Sequence, residues 1–266
     1  MSAVTATPTA QLARPLSPVR SLLTMTGLET RLLTREWAPM LFAFIFPPMM
    51  MLVLAGVFAA DDGEEFLHLN GTDYYIATYL GVPMAAVALI GLPVALAGYR
   101  ERGVLRRLSA SGVSRLTVIG SQVLVTALLV VIGAALVLAV AAPVYGLPEV
   151  QNLGGVVGAF ALGAAMMLVL GVALGLLVST ARSAQALGLL LFMPMWLLGG
   201  GGPPAGVMTG PMQTISDFLP LTPVTTAVRE SWLVGGDVSG PLLQAAAWLV
   251  GGLVLVALLL WRCGRE

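Results

Sequence analysis

Apolar runs alternate with short polar segments along most of the chain. Six of these runs, at 39–60, 74–98, 116–142, 154–179, 183–198 and 241–261, contain no Asp, Glu, Lys or Arg. About 20 consecutive apolar residues carry a helix across the hydrocarbon core of a bilayer, where a helix satisfies its own backbone hydrogen bonds. The pattern therefore predicts an all-α polytopic membrane protein with six transmembrane helices, the fifth run being the shortest.

The polar stretch before the first run divides in two. Residues 1–20 are rich in Ala, Thr, Ser and Pro, which bury little surface, and read as a disordered cytoplasmic tail. From 21 to 37, Met25, Leu28 and Leu32 recur at helical spacing while Arg31 and Arg35 project from another side. This predicts an amphipathic N-terminal interfacial helix. Glu29 and Glu36 fall inside its apolar arc, so the helix is either a plain surface anchor or is partly covered by a protein neighbour. Residues 21–266 then form a single transmembrane domain.

Small and ring-closed residues mark the interiors of several runs. Pro47 and Pro48 fall in the first run and Pro83 and Pro93 in the second, where each removes a backbone donor and bends its helix. Such bends can line a pathway, or they can be ordinary packing features whose freed groups neighbours re-satisfy. Gly154 with Gly158, and Gly171 with Gly175, are small-residue pairs that allow close helix packing, within one subunit or between two. Gly199, Gly200, Gly201 and Gly202, followed by Pro203 and Pro204, break the fifth run. The segment 199–240 that follows is either an ordinary outer loop or a re-entrant one, since 218–232 is apolar with few charges.

Composition agrees with the pattern: 58% hydrophobic and 10% charged residues, with a mean hydropathy of +0.94, exclude an ordinary soluble domain. The net charge of zero conceals an asymmetry. With the N-terminus inside, Arg14, Arg20, Arg31, Arg35, Arg100, Arg102, Arg106, Arg107, Arg115, Arg182, Arg262 and Arg265 all fall on the cytoplasmic side and only Arg229 outside. Both termini are therefore expected in the cytoplasm. The first run begins at Pro39 and exceeds the roughly 7–15 residues of a signal-peptide core, so it reads as a retained span. Cys263 is the only cysteine and His68 the only histidine, which removes the usual carriers of disulfide, metal and nucleophilic chemistry. No basic tail points to nucleic acid.

The most informative polar segment is 99–115, YRERGVLRRLSASGVSR, which holds five of the arginines. Drawn as a helix that Gly112 can end, it aligns Glu101, Val104, Leu105 and Leu108 on one stripe, with Arg102 and Arg106 on a different face, and Ser114 and Arg115 lead into the third span. A carboxylate on an apolar stripe suits a protein partner with a basic group better than it suits lipid. The plainer reading is an arginine-rich topology anchor, and both roles can coexist.

At these residues the chain resembles the membrane permeases of ABC type 2 exporters, including drug-resistance and natural-product efflux permeases of the daunorubicin-exporter kind. The resemblance rests on three features: the arginine-bearing segment 31–37, the Arg-Glu-x-Gly-x-Leu-x-Arg-Leu loop at 100–108, and Leu-Pro-Leu-Thr-Pro at 219–223. The loop departs from the usual Thr-Pro-Val-Ser continuation, having Ser111, Gly112, Val113 and Ser114 instead.

The resemblance implies a permease subunit that pairs with a second copy or a related permease and with cytoplasmic ATP-binding-cassette subunits. It would move a hydrophobic or amphiphilic substrate out of the cytoplasm or inner leaflet, across a cell membrane of bacterial inner-membrane type. Segment 99–115 would be the coupling loop, with Arg100, Glu101, Arg102, Val104, Leu105, Arg106, Arg107 and Leu108 at the ATPase interface. The surface helix would pack beside it, and 199–240 would dip into the outer leaflet and close the exit. Pro47, Pro48, Pro83, Pro93, Gly199, Gly200, Pro203 and Pro204 are the candidates for pathway or gate.

The chain contains no lysine, so it has no phosphate-binding Gly-x-x-x-x-Gly-Lys loop. No enzymatic site and no bound cofactor are expected, and ATP and Mg are expected on the partner. Two other classes remain at this point. An ion-coupled secondary transporter would need polar groups mid-membrane, where this chain offers chiefly Gln122, Gln185 and Gln244. A non-transporting membrane assembly protein is the other.

Overall fold

The computed structural model describes residues 18–33, 37–66, 68–110 and 113–263. The segment 1–17, Arg35 and Glu36, and the side chains of Arg31, Leu32, Leu105 and Arg106, lie outside the described residues. Every regular element described is helical, with no strand among the described residues. Helix α1 (Pro18–Leu33) begins at Pro18 rather than at Ser21. Proline suits a first helical turn because the donor it lacks has no partner there.

The first span is α2 (Trp37–Val57). The second is built in pieces: α3 (Gly71–Thr78), α4 (Val82–Ala86), a π-helical turn Val87–Gly91 and α5 (Leu92–Glu101). Pro83 and Pro93 each sit near the start of a piece, which is where a missing backbone donor is tolerated. A short α6 (Val104–Ala110) leads to the long α7 (Arg115–Tyr145). Then follow α8 (Leu153–Leu177), α9 (Ala181–Trp196) continuing into a π-helical turn Leu197–Gly201, the short α10 (Gly210–Asp217) and α11 (Leu221–Leu233), and α12 (Ser239–Cys263). Among the described residues five helical stretches are long and apolar enough to cross a membrane, and α2 adds a shorter apolar stretch, Phe44–Val57.

The second span is the centre of the bundle. Residues 74–80 and 82–89 are buried almost without exception, whereas α12 and one face of α7 keep Leu243, Val250, Leu253, Val131 and Ile132 exposed, as lipid-facing positions should be. Glycines set the closest approaches. A Cβ on Gly171 of α8 would stand 2.1 Å from Ala88 O, and one on Gly188 of α9 2.2 Å from Leu89 O, so both helices press on the π-helical turn. Gly175 likewise meets Leu96 and Pro93. The Gly171–Gly175 pair therefore packs within the chain, while Gly158 has nothing within 4 Å.

Segment 199–240 is helical and turns back on itself. Ser216, near the end of α10, donates to Leu198 O (2.7 Å). Helix α11 starts at that level, passes Val224 against Gly163 of α8, and ends where Gln151 N and Asn152 N donate to Trp232 O and Ser231 O. Gly163 lies about 15 Å along α8 from Leu153. Through Val224 the α10–α11 hairpin thus reaches roughly the middle of α8 and returns to its Leu153 end.

Candidate functional site

At the arginine-rich end, the helix drawn from Tyr99 toward Gly112 is broken. Gly103 adopts φ +66°, and Gly103 N donates to Arg100 O, ending α5 before α6 begins at Val104. A left-handed residue costs glycine little, so the break falls where the sequence allows it. The stripe running from Glu101 to Leu108 is therefore not continuous. Arg107 donates to Arg102 O across the turn (3.2 Å). Ser114 caps α7 by accepting from Thr117 N (3.1 Å).

Arg100 and Glu101 grip the turn between α8 and α9. Arg100 Nη1 donates to Leu176 O (2.8 Å) and Val178 O (3.2 Å), the carbonyls at the end of α8. Glu101 Oε2 accepts from Ala181 N at the start of α9 (3.0 Å). Each charge complements the helix end it meets, cation at a C-terminus and anion at an N-terminus. Glu101, Arg102 and Arg107 are exposed, and Val104 and Leu108 half-buried, so this end keeps a free polar surface.

Tyr99 ties the same segment to two other elements. Its hydroxyl donates to Glu29 of α1, which is 8% exposed, and accepts from Gln122 Nε2 of α7 (3.4 Å). The carboxylate inside the apolar arc of α1 is thus covered by a protein neighbour. Gln122 is occupied there, and Gln244 donates to Asp217 O.

The second polar constellation lies in the outer half, where the glycine break frees carbonyls inside an apolar bundle. Gly200 takes φ +106°. Thr225 Oγ1 donates to Gly199 O (2.7 Å), Tyr79 OH to Gly201 O (2.7 Å), and Tyr75 OH to Gly202 O (3.0 Å). Trp196 Nε1 donates in turn to Tyr79 OH (3.2 Å). Backbone that leaves regular helix at this depth persists only when side chains match it.

The proline and glycine candidates fall in several separate helix contacts. Pro83 packs on Gly133 of α7, Pro93 on Gly175 of α8, and Gly199 and Gly200 on Leu221, Thr78 and Thr225. Pro47, Pro48 and Pro204 are buried and Pro203 half-buried. A cavity of about 180 Å³ opens near the start of α8, lined by Leu69, Asn70, Asp73, Pro148, Glu149, Gln151 and Leu233. Sequence reading passed over Tyr75, Tyr79, Trp196, Ser216 and Thr225. The available signal was three of the five tyrosines crowded into 74–79.

A family model described as "ABC-2 family transporter protein" matches residues 54–262, and the chain belongs to that family. It is a multi-pass membrane permease subunit of an ABC transporter, a kind of subunit that works with an ABC ATPase. No curated protein matches the chain.

Proposed function

We propose that this ABC-2 permease exports a hydrophobic or amphiphilic substrate from the cytoplasm or inner leaflet, as part of a bacterial efflux system that can include antibiotic resistance. The energy comes from ATP and Mg handled by separate cytoplasmic subunits. The permease works as a dimer, with a second copy or a related permease across the pathway.

One observation carries this reading: the Arg-rich end presents an exposed charged turn that is bonded on its inner side to three spans. A partner pressing on Glu101, Arg102 and Arg107 displaces α5, and α5 is the lower half of the central second span. Through Arg100 and Glu101 the push reaches the α8–α9 turn, and through Tyr99 it reaches α1 and α7. The π-helical turn Val87–Gly91 then lies between that displacement and the outer half. A turn with looser hydrogen bonding than an α-helix is a natural place for a span to bend. The outer α10–α11 hairpin closes the exit until the two permeases rearrange.

Of the three glutamines an ion-coupled alternative would use, Gln122 and Gln244 serve hydrogen bonds between elements and Gln185 is exposed. The test is gentle purification of the permease with whatever soluble subunit stays attached, followed by transport with Glu101→Ala. An ATP hydrolase in roughly equal amount is expected, with Glu101→Ala inserting normally but losing about tenfold in stimulated hydrolysis and export. Transport by the chain without any ATPase would remove the reading.

A further inference from the structure

In the outer half side chains match the carbonyls of Leu198, Gly199, Gly201 and Gly202, yet one charged side chain is left unmatched. Arg229 of α11 is 4% exposed, and its Nε is buried without a hydrogen-bond partner. Its guanidinium carbon lies 4.5 Å from the centre of the Tyr74 ring, a cation–π contact with α3. Among the described residues no carboxylate pairs with it. Thr78 Oγ1, one turn from Tyr74 on α3, is also buried and unpartnered. A cation–π contact returns only part of what a guanidinium loses on leaving water, so the protein by itself leaves this charge under-compensated.

Its depth suggests what the missing partner is. Ser231 O and Trp232 O accept from Asn152 N and Gln151 N at the outer end of α8, so Arg229 lies within about one turn of that end. The 25 residues of α8 span about 37 Å, against a hydrocarbon core of about 30 Å. Arg229 therefore stands near the outer boundary of the hydrocarbon, just beneath the level of lipid phosphates and within its side chain's reach of them.

We propose that Arg229 is an anion-binding residue of the outer leaflet, taking the phosphate or carboxylate of an amphiphile when the α10–α11 hairpin moves away from α3. The planar fork of donors matches both anions in a bidentate way. Asp73 and Glu149 line the cavity one turn further out, beside Leu233, which follows Arg229 on the same face of α11. Their charges oppose multiply charged anions arriving from water and leave the lipid side as the favourable approach. The inference deepens the export reading by giving the amphiphile a charge, but the binding is measured on the permease without ATP.

The test is thermal unfolding of the purified full chain in maltoside detergent, with dioleoylphosphatidylglycerol, with dioleoylglycerol, or with sodium phosphate. The phospholipid should raise Tm by about 3 °C and the other two by less than about 1 °C. Arg229→Met should begin at an equal or higher Tm, since it removes a poorly compensated charge, and should gain nothing from the phospholipid. Arg229→Lys, which keeps the charge but not the fork, should keep less than half of the gain, and it carries the test if the methionine variant does not fold.

An undiminished gain in either variant overturns the proposal. So does a lower starting Tm in Arg229→Met with the gain retained, which would make Arg229 a structural partner of Tyr74. Sodium phosphate matching the phospholipid overturns the amphiphile. Absence of ATPase stimulation in the unaltered complex would reject the export reading while leaving this lipid response as it stands.

Discussion

Arg100 and Glu101 at the inner end and Thr225, Tyr75 and Tyr79 in the outer half do the same job under opposite exposure. Each hydrogen-bonds backbone groups left over where helices break. The inner bonds are open to water, so their groups have a ready substitute and each bond is worth little net. The outer bonds have no such substitute, and losing one leaves a buried carbonyl unpaired. On the proposed reading, the same device makes a joint that yields at one end and a closure that resists at the other. That division suits a machine driven from inside and gated outside.

The strongest way to break the comparison is to pry the closure off its support. A Cβ on Gly163 would stand 2.3 Å from Val224 Cγ1, so Gly163→Ile should force α11 away from α8. The expected loss is at least about 3 kcal/mol of stability, read as a large fall in Tm in detergent. Gly158→Ile, about a turn and a half away with nothing within 4 Å, should stay within about 0.5 kcal/mol. Equal losses from the two would show that the hairpin is not held where the contacts put it.

A subtler change sharpens the same point. Tyr79→Phe removes one hydroxyl and strands two partners, Gly201 O and Trp196 Nε1. It should cost about 1–3 kcal/mol, and adding Trp196→Phe should cost less than the sum of the two single changes. A double-mutant cycle of unfolding midpoints measures this directly. Strict additivity would mean that the three groups do not act as one network.

The inner counterpart tests conformation instead of burial. Gly103 has φ +66° and open space around it, so Gly103→Ala meets no atom and only the backbone resists. About 1 kcal/mol is expected. A larger loss would place α6 in a packed site and not at a yielding joint.

How much of this could be read beforehand follows from the same physics. The spans were legible because lipid tolerates neither charge nor unpaired backbone, so their limits are written in composition. Glu29 was legible too, as a carboxylate misplaced on an apolar arc, although its partner Tyr99 was not. Drawing one helix from Tyr99 toward Gly112 overlooked Gly103, where a left-handed turn is inexpensive and splits the stripe. Arg229 counted only as the lone outer arginine, because nothing near it in sequence shows that Tyr74 will cover it. Hydroxyls that serve carbonyls more than a hundred residues away, as Tyr79 serves Gly201, leave no local pattern at all.

The smallest structural effect separates two roles of one side chain. Glu101 is exposed and accepts from Ala181 N, while Thr180 already caps α9 through Ser183 N (3.2 Å), so losing the carboxylate should cost under about 1 kcal/mol. Glu101→Gln keeps a carbonyl oxygen for Ala181 N but carries no charge, whereas Glu101→Ala loses both. If the carboxylate meets a basic group on the ATPase, the two variants should impair stimulated hydrolysis alike, while only the alanine variant loosens the α8–α9 turn in hydrogen exchange. If the capping bond is what carries the push, Glu101→Gln should retain most of the stimulation and Glu101→Ala should not. The ratio of hydrolysis rates between these variants decides whether the inner end works through its exposed charge or through the bond behind it.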